Sequence, residues 1–224
     1  GNMYKNVTTW NPLGGECYHN CSYCSTNNWK NRFPHINKKY TGPPYLIPNE
    51  FKPLGSGKTI FVCSMTDLFA KNVPNDYREQ IINHAKLFDN KYIFQTKDPV
   101  RTILVNDLPE KSMLGITLET NRHYPAFMHN APTPYLRAVN FRHHKTVPRF
   151  ITIEPIMKFD HNEFYNLIHK INPELVYIGA DSKGNNLPEP SWLEITDLII
   201  RLEEFTTVIQ KDNLKRLLTP TTNT

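Results

Sequence analysis

"GGECYHNCSYCSTNN" (residues 14–28) places Cys17, Cys21 and Cys24, three of the four cysteines in the chain, within eight residues. Thiolate is the soft ligand of zinc and iron–sulfur sites, and cysteines at i, i+4 and i+7 on a tight loop can serve one metal centre. Structural zinc takes four ligands, commonly as two separated pairs, and this chain has no second pair. His19 is squeezed between Cys17 and Cys21, and Cys63 is remote in sequence. Three thiolates without an evident fourth suit a [4Fe–4S] cluster with one iron open to an exogenous chelating ligand. Clustered cysteines of this kind do not make a disulfide framework, and in a reducing compartment they favour a metal role.

Such a loop needs strands and helices to hold it. "TIFVCSM" (59–65), "KYIFQT" (91–96), "SMLGITLE" (112–119), "RFITIEP" (149–155), "ELVYIGA" (174–180) and "TTVIQ" (206–210) are short apolar runs rich in β-branched and aromatic residues. Most are too continuous to alternate, as expected of strands buried on both faces of a parallel sheet. Helical periods lie between them: Tyr77, Ile81, Ala85 and Phe88; Phe164, Leu167, Ile168 and Ile171; Trp192, Ile195, Leu198, Ile199 and Leu202. Asn75 and Ser191 are expected as N-caps, and "DNLKRLL" as a short last helix. A first strand near "YKNVTTW" (4–10) brings the count to about seven. An open doubly wound sheet and a partial β/α barrel both fit this alternation, within one domain spanning 1–224.

In either architecture ligands sit beyond the carboxyl ends of the strands. Polar residues collect there: Ser64, Thr66 and Asp67; Thr96 and Lys97; Thr117, Glu119 and Asn121; Glu154; Asp181. Helix capping and loop solvation account for some, but five successive polar ends point to a shared pocket. Residues 27–57 have poor periodicity and read as a short helix followed by an irregular basic and aromatic insertion or lid. Trp29, Arg32, Lys38, Lys39 and Tyr40 interleave bases with aromatics there, which suits a nucleic-acid-facing surface or a solvated loop. "LRAVNFRHHK" (136–145) reads as the exposed basic face of a helix. "GSGKT" (55–59) is not a phosphate loop, because Lys52 stands where its first glycine belongs and a strand follows it.

The 26 basic and 21 acidic residues leave a net charge of +5, compatible with a phosphate-bearing partner without requiring one. No stretch is long or apolar enough to span a bilayer, and "GNMYKNVTTW" lacks the apolar region of a signal peptide, so a cytoplasmic protein without a membrane partner is expected.

Cys-x3-Cys-x2-Cys with an aromatic before the last cysteine, here Cys17, Cys21, Tyr23 and Cys24, resembles the signature of the radical S-adenosylmethionine (SAM) superfamily. "TWNPLGGECYHNCSYC", "IFVCSMTDLFAKNVP", "IFQTKDP", "LGITLET", "FITIEPI" and "VYIGADSKGNNLPEP" are similar to one phage-associated branch of unknown function, in order from residue 8 to 190. The resemblance implies a partial (β/α)6-type TIM barrel of mostly parallel strands, with the cluster loop after the first strand. It implies a [4Fe–4S] cluster on Cys17, Cys21 and Cys24, with SAM chelating the fourth iron. An electron donor such as flavodoxin or ferredoxin would reduce the cluster. SAM would then split to methionine and a 5′-deoxyadenosyl radical that abstracts a substrate hydrogen.

Carried over by position, the resemblance puts Tyr23 near the adenine, and Ser64, Thr66 or Asp67 at the SAM ammonium in place of the missing Gly-Gly-Glu segment. It puts Lys97 at the SAM carboxylate, Thr117 and Glu119 at the ribose hydroxyls, and Glu154 and Asp181 facing SAM or substrate. "CSMTD" is also similar to the segment of spore photoproduct lyases that carries a hydrogen-donating cysteine, which gives Cys63 that role; a small buried hydrophobe in mid-strand is the other reading. The leading expectation is radical chemistry on DNA, RNA or a nucleotide, as modification or lyase and repair chemistry. The same chemistry on a peptide or small metabolite, and a non-enzymatic zinc or iron–sulfur binding module, are the alternatives.

Overall fold

The computed structural model describes residue 4, residues 6–104 and residues 108–218. Among them are nine strands: β1 (Thr8–Trp10), β2 (Leu13–Gly14), β3 (Tyr45–Leu46), β4 (Thr59–Val62), β5 (Lys91–Thr96), β6 (Ser112–Thr117), β7 (Arg149–Ile153), β8 (Leu175–Ile178) and β9 (Thr207–Gln210). Seven form one sheet in the order β1-β4-β5-β6-β7-β8-β9, and every neighbouring pair is parallel. β1 and β9 are not paired to each other, so the sheet is an open arc of a β/α barrel rather than a closed one. β2 and β3 make a small antiparallel ribbon of their own.

Side chains alternate between the two faces of a strand, and here both faces are buried. Ile60, Val62, Tyr92, Phe94, Leu114, Ile116, Ile151, Ile153, Val176 and Ile178 share one core with apolar residues of the helices Asn75–Lys86, Pro134–Phe141, His161–Ile171 and Trp192–Glu203. The intervening Phe61, Ile93 and Phe150 pack inside the arc with Tyr4, whose ring lies 5.3 Å from Phe61, 5.9 Å from Phe150 and 4.9 Å from Tyr177. Gly115 makes room for this plug, since a Cβ there would stand 2.1 Å from the Phe150 ring. Truncating Phe150 to alanine would cost about 3–5 kcal/mol.

That inner parity carries on toward the carboxyl ends. Ile93 leads to Gln95 and Lys97, Met113 to Gly115, Thr117 and Glu119, Phe150 to Thr152 and Glu154, and Tyr177 to Gly179 and Asp181. The interior therefore changes from aromatic to polar along the strands, and the polar end is where a ligand would sit.

The six strands expected from apolar runs are present: Lys91–Thr96 matches its run throughout, Thr207–Gln210 starts one residue late, and the other four end two or three residues inside their runs. The first strand is limited to Thr8–Trp10, and Lys5 lies outside the described residues. Ser191 caps its helix through a capping box with Glu194. Asn75 does not cap: Pro74 holds that position, and the Asn75 side chain accepts a hydrogen bond from Arg78 Nη1 at 2.5 Å. Residues 212–217 form a 3-10 helix.

Residues 27–57 carry more regular structure than their periodicity suggests. Helices Ser25–Arg32 and Pro34–Lys39 follow one another directly, then come β3 and a 3-10 turn at Pro48–Glu50. Their apolar content is too low for an amphipathic stripe, because the two helices bury only Thr26 between them. Residues 136–145 also differ from expectation, since Arg137 is wholly buried rather than on an exposed face.

Candidate active site

The cysteine loop leaves the β1–β2 segment and closes one end of a cavity of about 420 Å³. The carboxyl ends of β4, β5, β6, β7 and β8 supply the other walls. Cys17, Cys21, Tyr23, Cys24, Cys63, Ser64, Thr66, Asp67, Lys97, Thr117, Glu154 and Asp181 all line this space, so residues up to 164 positions apart share one pocket. Glu119 does not line it.

Two buried carboxylates pin the loop to the sheet. Glu119, with no exposed surface, accepts Tyr23 Oη at 2.5 Å and Lys97 Nζ on one oxygen, and Arg137 Nη1 at 2.7 Å on the other. Arg137 also donates to the Thr117 carbonyl at 3.0 Å and, through Nε, to the Pro132 carbonyl at 2.7 Å. Burial pushes the Glu119 carboxyl up, but the Arg137 and Lys97 cations beside it outweigh that, leaving it well below the usual carboxylate range. This differs from the expected ribose contact. Both Glu119 oxygens are occupied behind Tyr23 and Lys97, so it positions those two residues.

Asp67 anchors the other side of the loop. Its Oδ2 accepts His19 Nε2 at 2.9 Å, Thr96 Oγ1 at 2.9 Å and the Lys97 N–H at 2.8 Å, and its Oδ1 accepts the Phe69 N–H at 2.9 Å. Burial opposes ionisation, but the hydrogen bond and charge of His19, with the Lys97 and Thr96 donors, hold the carboxyl below its ordinary value. All this acceptor capacity is spent within the protein. Ser64, which donates to Asn11 Oδ1 at 3.1 Å, and Thr66 are the less committed members of this turn.

The remaining strand ends are engaged in different degrees. Thr117 Oγ1 accepts from Gln95 Nε2 at 2.7 Å, and Gln95 in turn accepts from Tyr4 Oη. Glu154 accepts Lys211 Nζ at 2.6 Å and Asn213 Nδ2 at 3.1 Å. Gly179 permits this, since a Cβ would come within 2.8 Å of Glu154 Oε1. Asp181 accepts from the Lys183 and Asn185 N–H groups at 3.0 and 2.6 Å, building its own turn at the cavity edge.

Cys63 is not in mid-strand. It follows the last residue of β4 with φ +56°, a left-handed conformation uncommon outside glycine, and it is 3% exposed while lining the cavity. Burial pushes its thiol up, so it stays protonated at neutral pH and keeps its S–H hydrogen.

All four cysteines are free thiols. Burial pushes Cys17 up to about 12, with Asp67 and the neighbouring cysteines adding to the rise, and burial also raises Cys21. Thiolates at these positions would need a bound cation to exist at neutral pH. Among the described residues no three His, Cys, Asp or Glu side chains converge as ligands of a single ion. His19 meets Asp67 through Nε2, and its Nδ1 is buried without a hydrogen-bond partner among the described residues. Three thiols on one loop are a donor set that a polynuclear group, in which each thiolate meets a different metal atom, can take. The His19 backbone N–H donates to the Cys17 sulfur, the kind of hydrogen bond that tunes metal-bound thiolates.

Sequence reading missed His19 as an anchor and missed Tyr4, Gln95, Arg137, Lys211 and Asn213. Gln95 had a signal, because it lies two residues before Lys97 and so faces the same way. Arg137 had none, since its partner is 18 residues away on another element.

The sequence profile of a family described as "Protein of unknown function (DUF5131)" matches residues 4–194. No curated protein matches the chain. Among solved structures the chain is similar to a spore photoproduct lyase variant with bound AdoMet and dinucleoside spore photoproduct, at TM-score 0.61 and 12% identity over 89% of this chain and 75% of that one. It is also similar to Streptococcus suis SuiB bound to S-adenosylmethionine, at TM-score 0.55 and 9% identity over 93% of this chain and 51% of SuiB. SuiB bound to precursor peptide SuiA gives TM-score 0.56, also at 9% identity, over 94% of this chain and 50% of SuiB. The chain thus spans about half the length of SuiB, and at these identities the likeness is one of fold.

Proposed function

We propose that this chain, which belongs to the DUF5131 family, is a radical SAM enzyme that acts on a nucleic acid or nucleotide. The observation that carries this reading is the seating of Cys17, Cys21 and Cys24 on one cavity with the polar ends of five parallel strands. The similarity of fold to structures holding S-adenosylmethionine supports it.

Cys17, Cys21 and Cys24 would hold a [4Fe–4S] cluster with SAM on its open iron; reduced by a donor such as flavodoxin or ferredoxin, that pair supplies a 5′-deoxyadenosyl radical able to abstract a substrate hydrogen. The protein's part is placement. Lys97 lines the cavity with its ammonium beside Tyr23, 5.1 Å from the ring centroid, and is positioned to meet a carboxylate such as that of SAM. Tyr23, fixed by Glu119, offers its ring and backbone to an adenine. Ser64 and Thr66 are better placed than Asp67 to meet the SAM ammonium, because Asp67 is saturated by His19, Thr96, Lys97 and Phe69. Thr117 faces the ribose position, and Glu154 and Asp181 bound the substrate side.

Cys63 is proposed as the hydrogen donor to a product radical. Its buried, protonated thiol keeps the S–H bond that such a donor gives up. In Cys63→Ala, SAM cleavage is expected to persist while the product changes or stalls; an unaltered product would refute the role.

The reading is tested by iron, sulfide and zinc analysis with visible absorption after anaerobic reconstitution. Iron and sulfide with charge-transfer absorption, lost in Cys21→Ala, are expected. Colourless zinc-loaded protein would return the loop to a structural clip. No helix among the described residues is long and apolar enough to cross a membrane.

A further inference from the structure

We infer that the helical pair Ser25–Arg32 and Pro34–Lys39 is the docking ledge for a single-stranded nucleic acid that delivers one base to the cavity. The inference deepens the proposed function by placing its substrate.

Between Glu16 and Glu50 the chain has no acidic residue, while Lys30, Arg32, Lys38 and Lys39 contribute four positive charges, close to the net charge of the whole protein. The pair buries a single side chain, Thr26, so its composition is not explained by core packing. Lys30 and Lys39 reach Glu16 and Glu50 at 3.3 and 3.1 Å. Among the described residues Arg32 and Lys38 make no ion pair with a carboxylate, and both are exposed. These two are therefore available to phosphates, whose neutralisation by lysine and arginine drives sequence-independent binding.

Aromatic surface accompanies the charge. Trp29 is 37% exposed and Phe33 41% exposed, four residues apart, with the Arg32 guanidinium 5.6 Å from the Phe33 ring centroid. Large aromatics left in solvent beside unpaired cations form a stacking platform, and a platform of this kind needs bases that are not already stacked in a duplex.

Position ties the ledge to the chemistry. Ser25, Thr26, Asn27, Trp29 and Lys30 line the same cavity as the three cysteines, so Trp29 stands where the exposed ledge turns into the pocket. A strand lying along Phe33 and Arg32 would have its next base at that rim. The seat of the ledge is fixed by Thr26 Oγ1 donating to the Met65 carbonyl at 3.0 Å and by the Gly15 N–H donating to the Lys39 carbonyl at 3.0 Å.

The test is fluorescence anisotropy of the anaerobically reconstituted protein with a labelled twelve-nucleotide single strand, as DNA and as RNA, across a salt series. Wild-type protein is expected to bind, with affinity falling as salt rises. Arg32→Glu with Lys38→Glu should lose roughly tenfold or more at low salt and flatten the slope by about 1.4 log units per log unit of salt, for two phosphate contacts. Arg32→Lys with Lys38→Arg should retain the slope. Trp29→Ala should weaken binding roughly tenfold without changing the salt slope, as expected for a lost stacking contact. Binding that is absent in the wild type, or equal in wild type and charge-reversed protein, overturns the inference. So does equal binding of a duplex, or of an acidic peptide of matched charge. Uncoupled SAM cleavage by the wild type, measured separately, distinguishes the two levels: cleavage without oligonucleotide binding defeats the ledge and leaves the radical SAM reading standing, whereas binding without cleavage defeats that reading.

Discussion

Residues 17–24 and residues 25–39 adjoin in the chain, but the structure treats them differently. The cysteine loop is tied by His19 to Asp67 and by Tyr23 to Glu119, and both carboxylates are buried with several donors each. The helical pair beyond it exposes most of its surface and has no buried ionic anchor. Buried charge is costly unless paired, so networks of this kind hold a geometry that looser contacts would let drift. An exposed basic surface offers little rigidity and much electrostatic reach. The difference is physical: buried charge holds the loop in one geometry while the helices present an exposed basic surface, which is what the proposed reacting centre and the inferred ligand ledge would each require.

The sharpest way to break this comparison is to remove Glu119. Glu119→Gln leaves Arg137 buried beside a neutral partner, and an unfolding free energy lower by about 3–5 kcal/mol is expected from chemical denaturation. Glu119→Leu combined with Arg137→Met should recover part of that loss, because the wholly buried Arg137 charge goes with its partner, while Lys97 and Tyr23 still lose their shared acceptor. A small effect in Glu119→Gln would mean that the network does not hold the loop.

Acid should act on the same anchors. The Asp67 and Glu119 carboxyls are held below their ordinary values in the folded protein, so their stabilisation is present at neutral pH. It should fall away as the pH drops below about 4, the unfolded carboxylate range, toward the lower folded-state values. Thermal denaturation across that window should show stability decreasing, with a smaller acid dependence in the Glu119→Leu, Arg137→Met protein.

Asp67→Asn ranks next. It keeps the shape but gives up charge-assisted hydrogen bonds from His19 and Lys97, at a cost of about 1.5–3 kcal/mol. Arg32→Glu with Lys38→Glu is the smallest, expected within about 0.5 kcal/mol of wild type in the same denaturation assay. A large loss there would show that the helical pair is structural after all.

The legible parts of this molecule were those written in local pattern. The strands announced themselves as β-branched and aromatic runs, and Ser191 as an N-cap, which the structure completes as a capping box with Glu194. The cysteines stood out by spacing alone. Their position at the carboxyl ends of successive strands gathered Lys97, Thr117, Glu154 and Asp181 into one expected pocket, which they line. The misses were long-range. Glu119 and Asp67 have the residue types of ligands, and only the arrival of Arg137 and His19 turns them into anchors. Cys63 read as a strand residue because nothing in "TIFVCSM" marks the left-handed turn after Val62. The Ser25–Lys39 helices lacked an apolar stripe because they have little core to face.

The most direct measurement is 5′-deoxyadenosine release when the anaerobically reconstituted protein is reduced in the presence of SAM. The account predicts release by the wild-type protein and none from Cys21→Ala. An iron–sulfur-loaded wild type that binds SAM and yields no 5′-deoxyadenosine, or a Cys21→Ala variant that still releases it, would contradict the assignment of the cysteine loop as a radical-generating centre.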